Sequence, residues 1–162
     1  MLTIRKTTLS DLDRVMELYD IGRDYMRANG NMLQWINGYP ARDLVKEDIE
    51  NGESYVVVDG DVIHAVFMFM QRTEPTYGYI EDGDWLNDLP YGTIHRIASD
   101  GVHRRILDFC VDFCQKTIKN LRIDTHPDNM PMQKAIKRCG FNYCGVIYME
   151  DKTPRIAYQK TE

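Results

Sequence analysis

Few features of this sequence would mark a secreted, disulfide-linked or metal-binding protein. Four cysteines occur in 162 residues, and no two of them form a C-x-x-C pair. We therefore expect reduced core cysteines rather than a disulfide framework or a metal site. They are Cys110, Cys114, Cys139 and Cys144.

Long apolar runs are also missing. The longest, Val62–Met70, is interrupted by His64 and is too short to cross a bilayer. The residues that follow Met1 contain no apolar stretch of signal-peptide length. These absences predict a cytoplasmic protein without a membrane partner.

The chain has no excess of positive charge. Its formal net charge is -5, which argues against a general nucleic-acid-binding protein. A hydrophobic content of 43% and a charged content of 28% are typical of a folded globular protein. No repeat, linker or low-complexity segment divides the chain, so we expect a single domain over residues 1–162.

One stretch, residues 93–107, stands out from the rest. Its β-branched beginning predicts a strand, Asp100-Gly101 predicts a break, and His103-Arg104-Arg105 form a basic turn before an amphipathic helix. The first N–H groups of a helix lack intrahelical acceptors, and the helix dipole is positive there. The pattern therefore predicts an anion site that suits a phosphate-bearing cofactor.

Periodicity and turn residues predict the order β-α-α-β-β-β-α-β-α-β-β. Ser10 is the expected cap of the first helix, and Asp59-Gly60 is a strong hairpin signal. The helices are expected from Ser10 to before Gly30, over 40–51, from the basic turn to about Lys119, and over 127–138. The strands are expected over 2–5, 54–58, 62–71, from Thr93, and over 121–125, 141–149 and 155–159. This order predicts an α/β or α+β fold, with a sheet of about seven strands and helices on both faces.

At this point the chain resembles the GNAT family (Gcn5-related N-acetyltransferases) over nearly its whole length. Ile97-Ala98-Ser99 is similar to the end of the family's central strand that pairs with the cofactor. Residues 102–107 occupy the place of its pyrophosphate loop. Asn129 followed by a helix ending in Gly140-Phe141 resembles a later family motif. The resemblance implies a GNAT-like, mostly antiparallel sheet, and a transfer from acetyl-CoA or another acyl-CoA to an amine.

The same resemblance implies which residues bind the cofactor. Pantetheine amides would pair with Ile97 and Ser99 like an added strand, and Asn129 would contact the cofactor. The full implied set is Ile97, Ala98, Ser99, Val102, His103, Arg104, Arg105, Ile106, Leu107 and Asn129.

Three positions depart from the family pattern. The loop usually reads Gln/Arg-x-x-Gly-x-Gly/Ala, whereas this chain has Val102, Arg105 and Leu107 at the three defined positions. Arg105 is expected to keep a helical backbone and either to clasp a phosphate or to obstruct the site. The tyrosine that often protonates the leaving thiolate is replaced by Ile136, seven residues after Asn129.

Candidates for proton transfer come from strand parity. Asp124 and His126 are two residues apart, so they should point to the same side, and His95 lies two residues before Ile97 on the neighbouring strand. Each has an alternative role: a helix cap for Asp124, a loop histidine for His126 and a sheet residue for His95. We predict that at least one of the three acts as a base. Tyr79, Tyr143 and Tyr148 are candidates for the missing acid.

The segment from Thr73 to Gly92 mixes acidic and aromatic residues more densely than any other. We expect it to attract a cationic amine, with Glu81, Trp85 and Tyr91 as substrate-binding residues. A solvated surface loop is the alternative interpretation.

Three functions remain open from the sequence. The first is an acyl-CoA-dependent N-acyltransferase acting on a small-molecule or peptide amine, without metal. The second, favoured by Arg105, Leu107 and Ile136, is a GNAT-like module that binds CoA without turnover. The third is an interaction domain without a ligand. Homodimer formation is left open.

Overall fold

The computed structural model describes residues 1–162. Seven strands form one sheet in the order β1-β2-β3-β4-β5-β7-β6. The strands are β1 (Leu2–Lys6), β2 (Ser54–Asp59), β3 (Val62–Met70), β4 (Gly92–Ser99), β5 (Leu121–Thr125), β6 (Asn142–Tyr148) and β7 (Pro154–Lys160). The helices are α1 (Leu12–Ala28), α2 (Arg42–Glu50), α3 (Ile106–Gln115) and α4 (Met130–Arg138), and short 3-10 turns cover Leu9–Asp11 and Pro75–Tyr77.

The pairing is mostly antiparallel. β1 pairs with β2, β2 with β3, β5 with β7 and β6 with β7 in antiparallel register. β4 pairs with β5 in parallel at Gly92↔Leu121 and Thr93↔Arg122. The predicted fold class, element order and numbers of strands and helices are confirmed.

Several predicted helix bounds differ from the structure. α2 begins at Arg42 rather than at Pro40, and α3 ends at Gln115 rather than near Lys119. Thr8, not Ser10, begins the first helical segment, because the Thr8 N–H donates to Asp11 Oδ2 at 2.8 Å and so starts a 3-10 turn ahead of α1. α4 begins at Met130 rather than at Pro127, because Asn129 Oδ1 accepts the Met132 N–H at 3.1 Å and caps the helix. Pro131, rather than Pro127, is the proline in its first turn.

The chain divides into two compact units, residues 1–69 with 95–106 and residues 70–94 with 107–162. The core of the first unit contains Val15, Leu18 and Tyr19 from α1, packed with apolar residues of α2, β2 and β3. The second unit has a core cluster of Tyr77, Ile147 and Ala157, against which Trp85 and Tyr91 pack.

Three of the four cysteines are buried, and all four are free thiols. Burial raises the pKa of Cys139 to about 12, and the nearby Asp108 carboxylate adds to that effect. The burial of Cys110, Cys114 and Cys144 agrees with the predicted core cysteines, whereas Cys139 is only half-buried. None of the helices is long and apolar enough to span a membrane.

Candidate active site

The backbone of β4 departs from a regular strand conformation at Arg96. Its φ is 49°, a left-handed conformation that is typical of a bulge when it occurs in a strand. The Tyr19 hydroxyl donates to the Arg96 carbonyl at 2.9 Å, and the guanidinium makes a bidentate pair with Asp48 at 2.9 and 2.7 Å. The strand is thus held from α1 and α2 immediately before Ile97, the first residue predicted to pair with the cofactor.

The Asp48–Arg96 pair is buried, and sequence reasoning missed it. The Asp48 side chain is 6% exposed and the Arg96 side chain 13% exposed. Burial raises the pKa of Asp48, while the hydrogen bonds from Arg96 oppose that rise. A charged residue at the buried position of α2, between Val45 and Ile49, was the available signal.

Packing also fixes the residues that follow Arg96. Ala98 is buried, and Ile97 and Ser99 are half-buried. A Cβ added to Gly22 of α1 would lie 3.1 Å from Ala98 Cβ, so this glycine allows α1 to approach the strand closely. The backbone of Ile97-Ala98-Ser99 is therefore held against the core of the first unit.

Asp100 organises the loop between β4 and α3. Its Oδ2 accepts from Arg14 at 3.1 Å and faces His64 Nδ1 at 2.8 Å, while Oδ1 accepts the Val102 N–H at 3.0 Å. The His103 ring packs edge-on against His64, with ring centroids 4.6 Å apart. The predicted basic turn therefore has a fixed start, and the Val102 N–H is hydrogen-bonded within the loop.

Arg105 does not keep the helical backbone that the sequence predicted. Its φ is 58°, and α3 begins one residue later, at Ile106. Left-handed backbone is the conformation that glycine adopts readily, so Arg105 has a glycine-type backbone. Arg104 and Arg105 are exposed, whereas Ile106 and Leu107 are buried at 8% and 5% exposure. The loop thus offers cationic side chains around the beginning of a helix.

In the second unit, Asp124 lies near the end of β5 and has a partner that the sequence did not indicate. The Tyr77 hydroxyl donates to Asp124 Oδ2 at 2.7 Å. Tyr77 is 3% exposed, and its burial, together with the Asp124 charge, raises its pKa well above the usual value. The hydroxyl therefore stays protonated and acts as a donor to the carboxylate.

His126 has the geometry of a turn-forming residue. Its Nδ1 accepts the Asp128 N–H at 3.0 Å, and its carbonyl accepts the Asn129 N–H at 2.9 Å. Burial lowers the pKa of His126, the Arg155 charge lowers it further, and Asp128 partly opposes the shift. A neutral ring that accepts at Nδ1 carries its proton on Nε2, so Nε2 is a donor here.

Asn129 combines a structural role with its predicted cofactor role. It is 7% exposed and caps α4 through Oδ1. The cap uses the carbonyl end of the amide, and Nδ2 is the end that would donate to a cofactor. Ile136 is fully buried in α4.

Trp85 and Tyr91 already hold a cation of the chain itself. The Arg122 guanidinium lies 4.1 Å from the Trp85 ring centroid and 4.0 Å from that of Tyr91, and donates to the Asn87 carbonyl at 2.8 Å. One face of each ring is thus covered by Arg122 where a substrate amine was expected. An acceptor could use only the remaining faces.

The acidic loop, residues 73–92, is anchored to neighbouring strands by hydrogen bonds rather than loosely solvated. Gln159 Nε2 donates to Asn120 Oδ1 at 2.7 Å, and Gln159 Oε1 accepts the Leu86 N–H at 2.8 Å. Glu81 bridges to Val146 through two backbone hydrogen bonds of 2.9 and 2.8 Å. These contacts fix the loop against β5, β6 and β7.

The exposed Glu81 carboxylate accepts hydrogen bonds from two tyrosine hydroxyls. Tyr79 and Tyr148 donate to its two carboxylate oxygens at 2.6 and 2.7 Å, which lowers the pKa of Glu81. Tyr143 donates to Asp82 at 3.0 Å. The three tyrosines proposed as acids are therefore all donors to carboxylates.

The predicted site residues fall into two groups. Ile97 to Ile106, with half-buried His95 before them, belong to the first unit, where they are joined by Arg96, Asp48 and His64. The second unit contains the other predicted site residues, together with Tyr77 and Arg122. These predicted residues are Glu81, Trp85, Tyr91, Leu107, Asp124, His126 and Asn129. Left-handed backbone and long-range hydrogen bonds carry no sequence signal, so Arg96 and Tyr77 were missed.

An open, mostly antiparallel seven-stranded sheet with this element order is the architecture of the GNAT acetyltransferases. The chain is similar to an acetyltransferase of the GNAT family from Streptococcus agalactiae, with 29% identity, a TM-score of 0.90, and coverage of 99% of this chain and 95% of that chain. The predicted resemblance to the GNAT family is thereby confirmed.

Two more distant structures share the fold. AAC(6')-Ib in complex with ribostamycin and coenzyme A is 16% identical, with a TM-score of 0.66 and coverage of 99% of this chain and 93% of that chain. The ribosomal-protein-S18-alanine N-acetyltransferase of Escherichia coli is 14% identical, with a TM-score of 0.59 and the same coverages. No protein-family model and no curated protein matches the sequence. The comparisons support acyltransferase activity in general terms.

Proposed function

We propose that the protein transfers an acetyl group from acetyl-CoA to a primary amine of a small molecule or peptide. The proposal rests mainly on the conformation and charge of the loop between β4 and α3. Arg105 keeps a glycine-type backbone there, at φ 58°, and exposed Arg104 and Arg105 surround the beginning of α3. Backbone N–H groups, the helix dipole and two guanidinium groups together suit a diphosphate.

The residues present fit the remaining parts of the donor as the family resemblance implies. Ile97 and Ser99 would pair with the pantetheine amides, and the left-handed Arg96 turns the backbone immediately before them. Asn129 would donate from Nδ2. The neighbour determined with coenzyme A supports a CoA donor for this fold.

Asp124 is the base that the structure supports best. An acceptor amine is protonated at neutral pH, and its ammonium would give one proton to the Asp124 carboxylate. The neutral nitrogen then attacks the thioester carbonyl carbon, the C–S bond breaks, and the second proton from nitrogen goes to the CoA thiolate. The products are an amide, the CoA thiol and a protonated Asp124, which releases its proton to water.

An amine acceptor agrees with the charges of the second unit. Glu81 remains ionised because two tyrosine hydroxyls stabilise its carboxylate. Together with Asp82 and Asp84 it gives the anchored loop a negative surface, which would attract a cation. Ribostamycin and a ribosomal-protein alanine, named with two neighbours, illustrate the small-molecule and peptide types of acceptor.

A CoA-binding module without turnover is the second candidate. It is favoured by Ile136, which is fully buried where relatives often carry a proton-donating tyrosine. Under this alternative the donor binds normally and no amine is acylated.

Calorimetry with acetyl-CoA, followed by measurement of thiol release with a panel of amines, separates the two candidates. The proposal expects binding and amine-dependent thiol release, with Asp124→Asn losing roughly 10²–10⁴ of kcat while acetyl-CoA affinity is unchanged. Binding without release for every amine supports the module, and no binding contradicts both. Full turnover in Asp124→Asn would remove Asp124 from the reaction.

A further inference from the structure

The Tyr77 hydroxyl is hydrogen-bonded to the candidate base. Its Oη lies 2.7 Å from Asp124 Oδ2, across 47 residues of sequence. This is a normal distance for an O–H···O hydrogen bond. Because Tyr77 is 3% exposed, water competes little for either partner.

The 3-10 turn that carries Tyr77 is itself held in place. Glu74 Oε1 accepts the Thr76 N–H at 3.2 Å and the Thr76 hydroxyl at 2.8 Å, which caps the turn. The Glu74 N–H donates to the Tyr91 hydroxyl at 2.9 Å. The backbone of Tyr77 therefore has little freedom to move away from β5.

The ring of Tyr77 is packed by the two aromatic residues that also hold Arg122. Its centroid lies 4.9 Å from that of Trp85 and 6.1 Å from that of Tyr91. Trp85 Nε1 donates to the Tyr77 carbonyl at 2.9 Å. Because Arg122 lies two residues before Asp124 on the same strand, one stack of side chains links the loop to the strand that carries the carboxylate.

We propose that Tyr77 is a positioning residue, which holds the carboxylate of Asp124 in the orientation needed to accept a proton from the acceptor amine. This inference rests on the proposed function. Proton transfer depends on the angle as well as the distance between donor and base, and a hydrogen bond at Oδ2 restricts rotation of the carboxylate. Tyr77 supplies no proton and touches no reacting atom in this role.

The test is a double-mutant cycle of Tyr77→Phe and Asp124→Asn in the full chain. Phenylalanine keeps the ring and removes only the hydroxyl. We expect Tyr77→Phe to lower kcat about tenfold, with the KM for acetyl-CoA unchanged. Loss of one hydrogen bond should lower the melting temperature by only a few degrees. In the Asp124→Asn background the same substitution should have no further effect, because Tyr77 acts through Asp124. Tyr25→Phe, an exposed tyrosine of α1, is the control.

Two kinetic results would overturn the inference. One is full kcat in Tyr77→Phe. The other is a tenfold loss that persists in the Asp124→Asn background, since Tyr77 would then act independently of the carboxylate. A loss of kcat that comes with a raised KM for acetyl-CoA would show a general packing role instead.

Proton NMR tests the contact without any turnover. A buried hydroxyl bound to a carboxylate should give a slowly exchanging, downfield hydroxyl signal that is absent in Tyr77→Phe and moves upfield in Asp124→Asn. A signal that does not respond to Asp124→Asn contradicts the proposed positioning. If the protein acylates no amine, the proposed function fails, and the NMR result still decides whether Tyr77 holds the carboxylate.

Discussion

Arg105 shows how one side chain can replace the residue type that a loop usually requires. At φ 58° a non-glycine residue is strained by about 1 kcal/mol, and the guanidinium that comes with it is exposed at the beginning of α3. The chain thus gains an exposed charge, which we propose contacts a phosphate, and it accepts backbone strain at the same position. The two effects can be separated, because the conformation and the charge respond to different substitutions.

Arg105→Gly should weaken acetyl-CoA binding several-fold and stabilise the protein by about 0.5–1 kcal/mol, because the charge is lost and the strain is relieved. Arg105→Ala should weaken binding equally without stabilising the fold. Calorimetry measures the affinities and chemical denaturation the free energies of unfolding. Unchanged affinity in both variants would mean that the phosphates bind elsewhere.

Asn129 gives a second test at a single side chain. Asn129→Asp keeps an oxygen that can cap α4 but removes the Nδ2 donor, whereas Asn129→Ala removes both. We expect both variants to bind acetyl-CoA more weakly, and only Asn129→Ala to lose about 1 kcal/mol of stability. If Asn129→Asp and the unmodified protein bind acetyl-CoA with equal affinity, Asn129 caps α4 and does not contact the cofactor through Nδ2.

The acidic loop approaches β6 closely at Gly145, which has no side chain. Gly145 has a φ of 154°, and a Cβ there would overlap the Glu81 carbonyl oxygen and lie 2.9 Å from Ile80 Cγ1. The close approach permits the two hydrogen bonds between Glu81 and Val146. A position without a side chain in β6 therefore decides how the acidic loop is held.

Gly145→Ala should cost roughly 2–4 kcal/mol, because the loop must separate from β6 and its backbone hydrogen bonds are lost. Gly60→Ala is the matched control, since Gly60 has a φ of 60° with no atom near the added Cβ, and should cost only about 1 kcal/mol. Urea denaturation compares the two. Equal losses of unfolding free energy would show that the close approach at Gly145 does not contribute to stability.

For the molecule as a whole, the proposal predicts that the donor stabilises the folded state. At acetyl-CoA concentrations of about 100 times Kd, binding to the folded state alone adds about 2.7 kcal/mol. For a chain of this size that corresponds to a rise in melting temperature of roughly 5–10 °C. Thermal melts with and without acetyl-CoA measure it, and the rise should be smaller for Arg105→Gly. An identical melting temperature with saturating donor would contradict the CoA site.

The sequence alone determined the element order, the family likeness and the basic loop before α3. These follow from local information, since apolar periodicity, turn residues such as Asp59-Gly60 and the basic cluster are all read within a few residues. The departure at Arg105 was also visible, although its backbone conformation was not. The misplaced starts of α1 and α4 show the limit of such patterns, because several residues near each start could serve as the cap.

Only the tertiary structure decided which partners these residues have. Tyr77 and Asp124 are 47 positions apart, as are many unrelated pairs, and the Asp48–Arg96 pair spans 48. Trp85 and Tyr91 were expected to hold a substrate cation, and the fold gives them Arg122. Chain folding, rather than local composition, chooses among charged and aromatic residues with similar preferences, so these contacts became visible only in three dimensions.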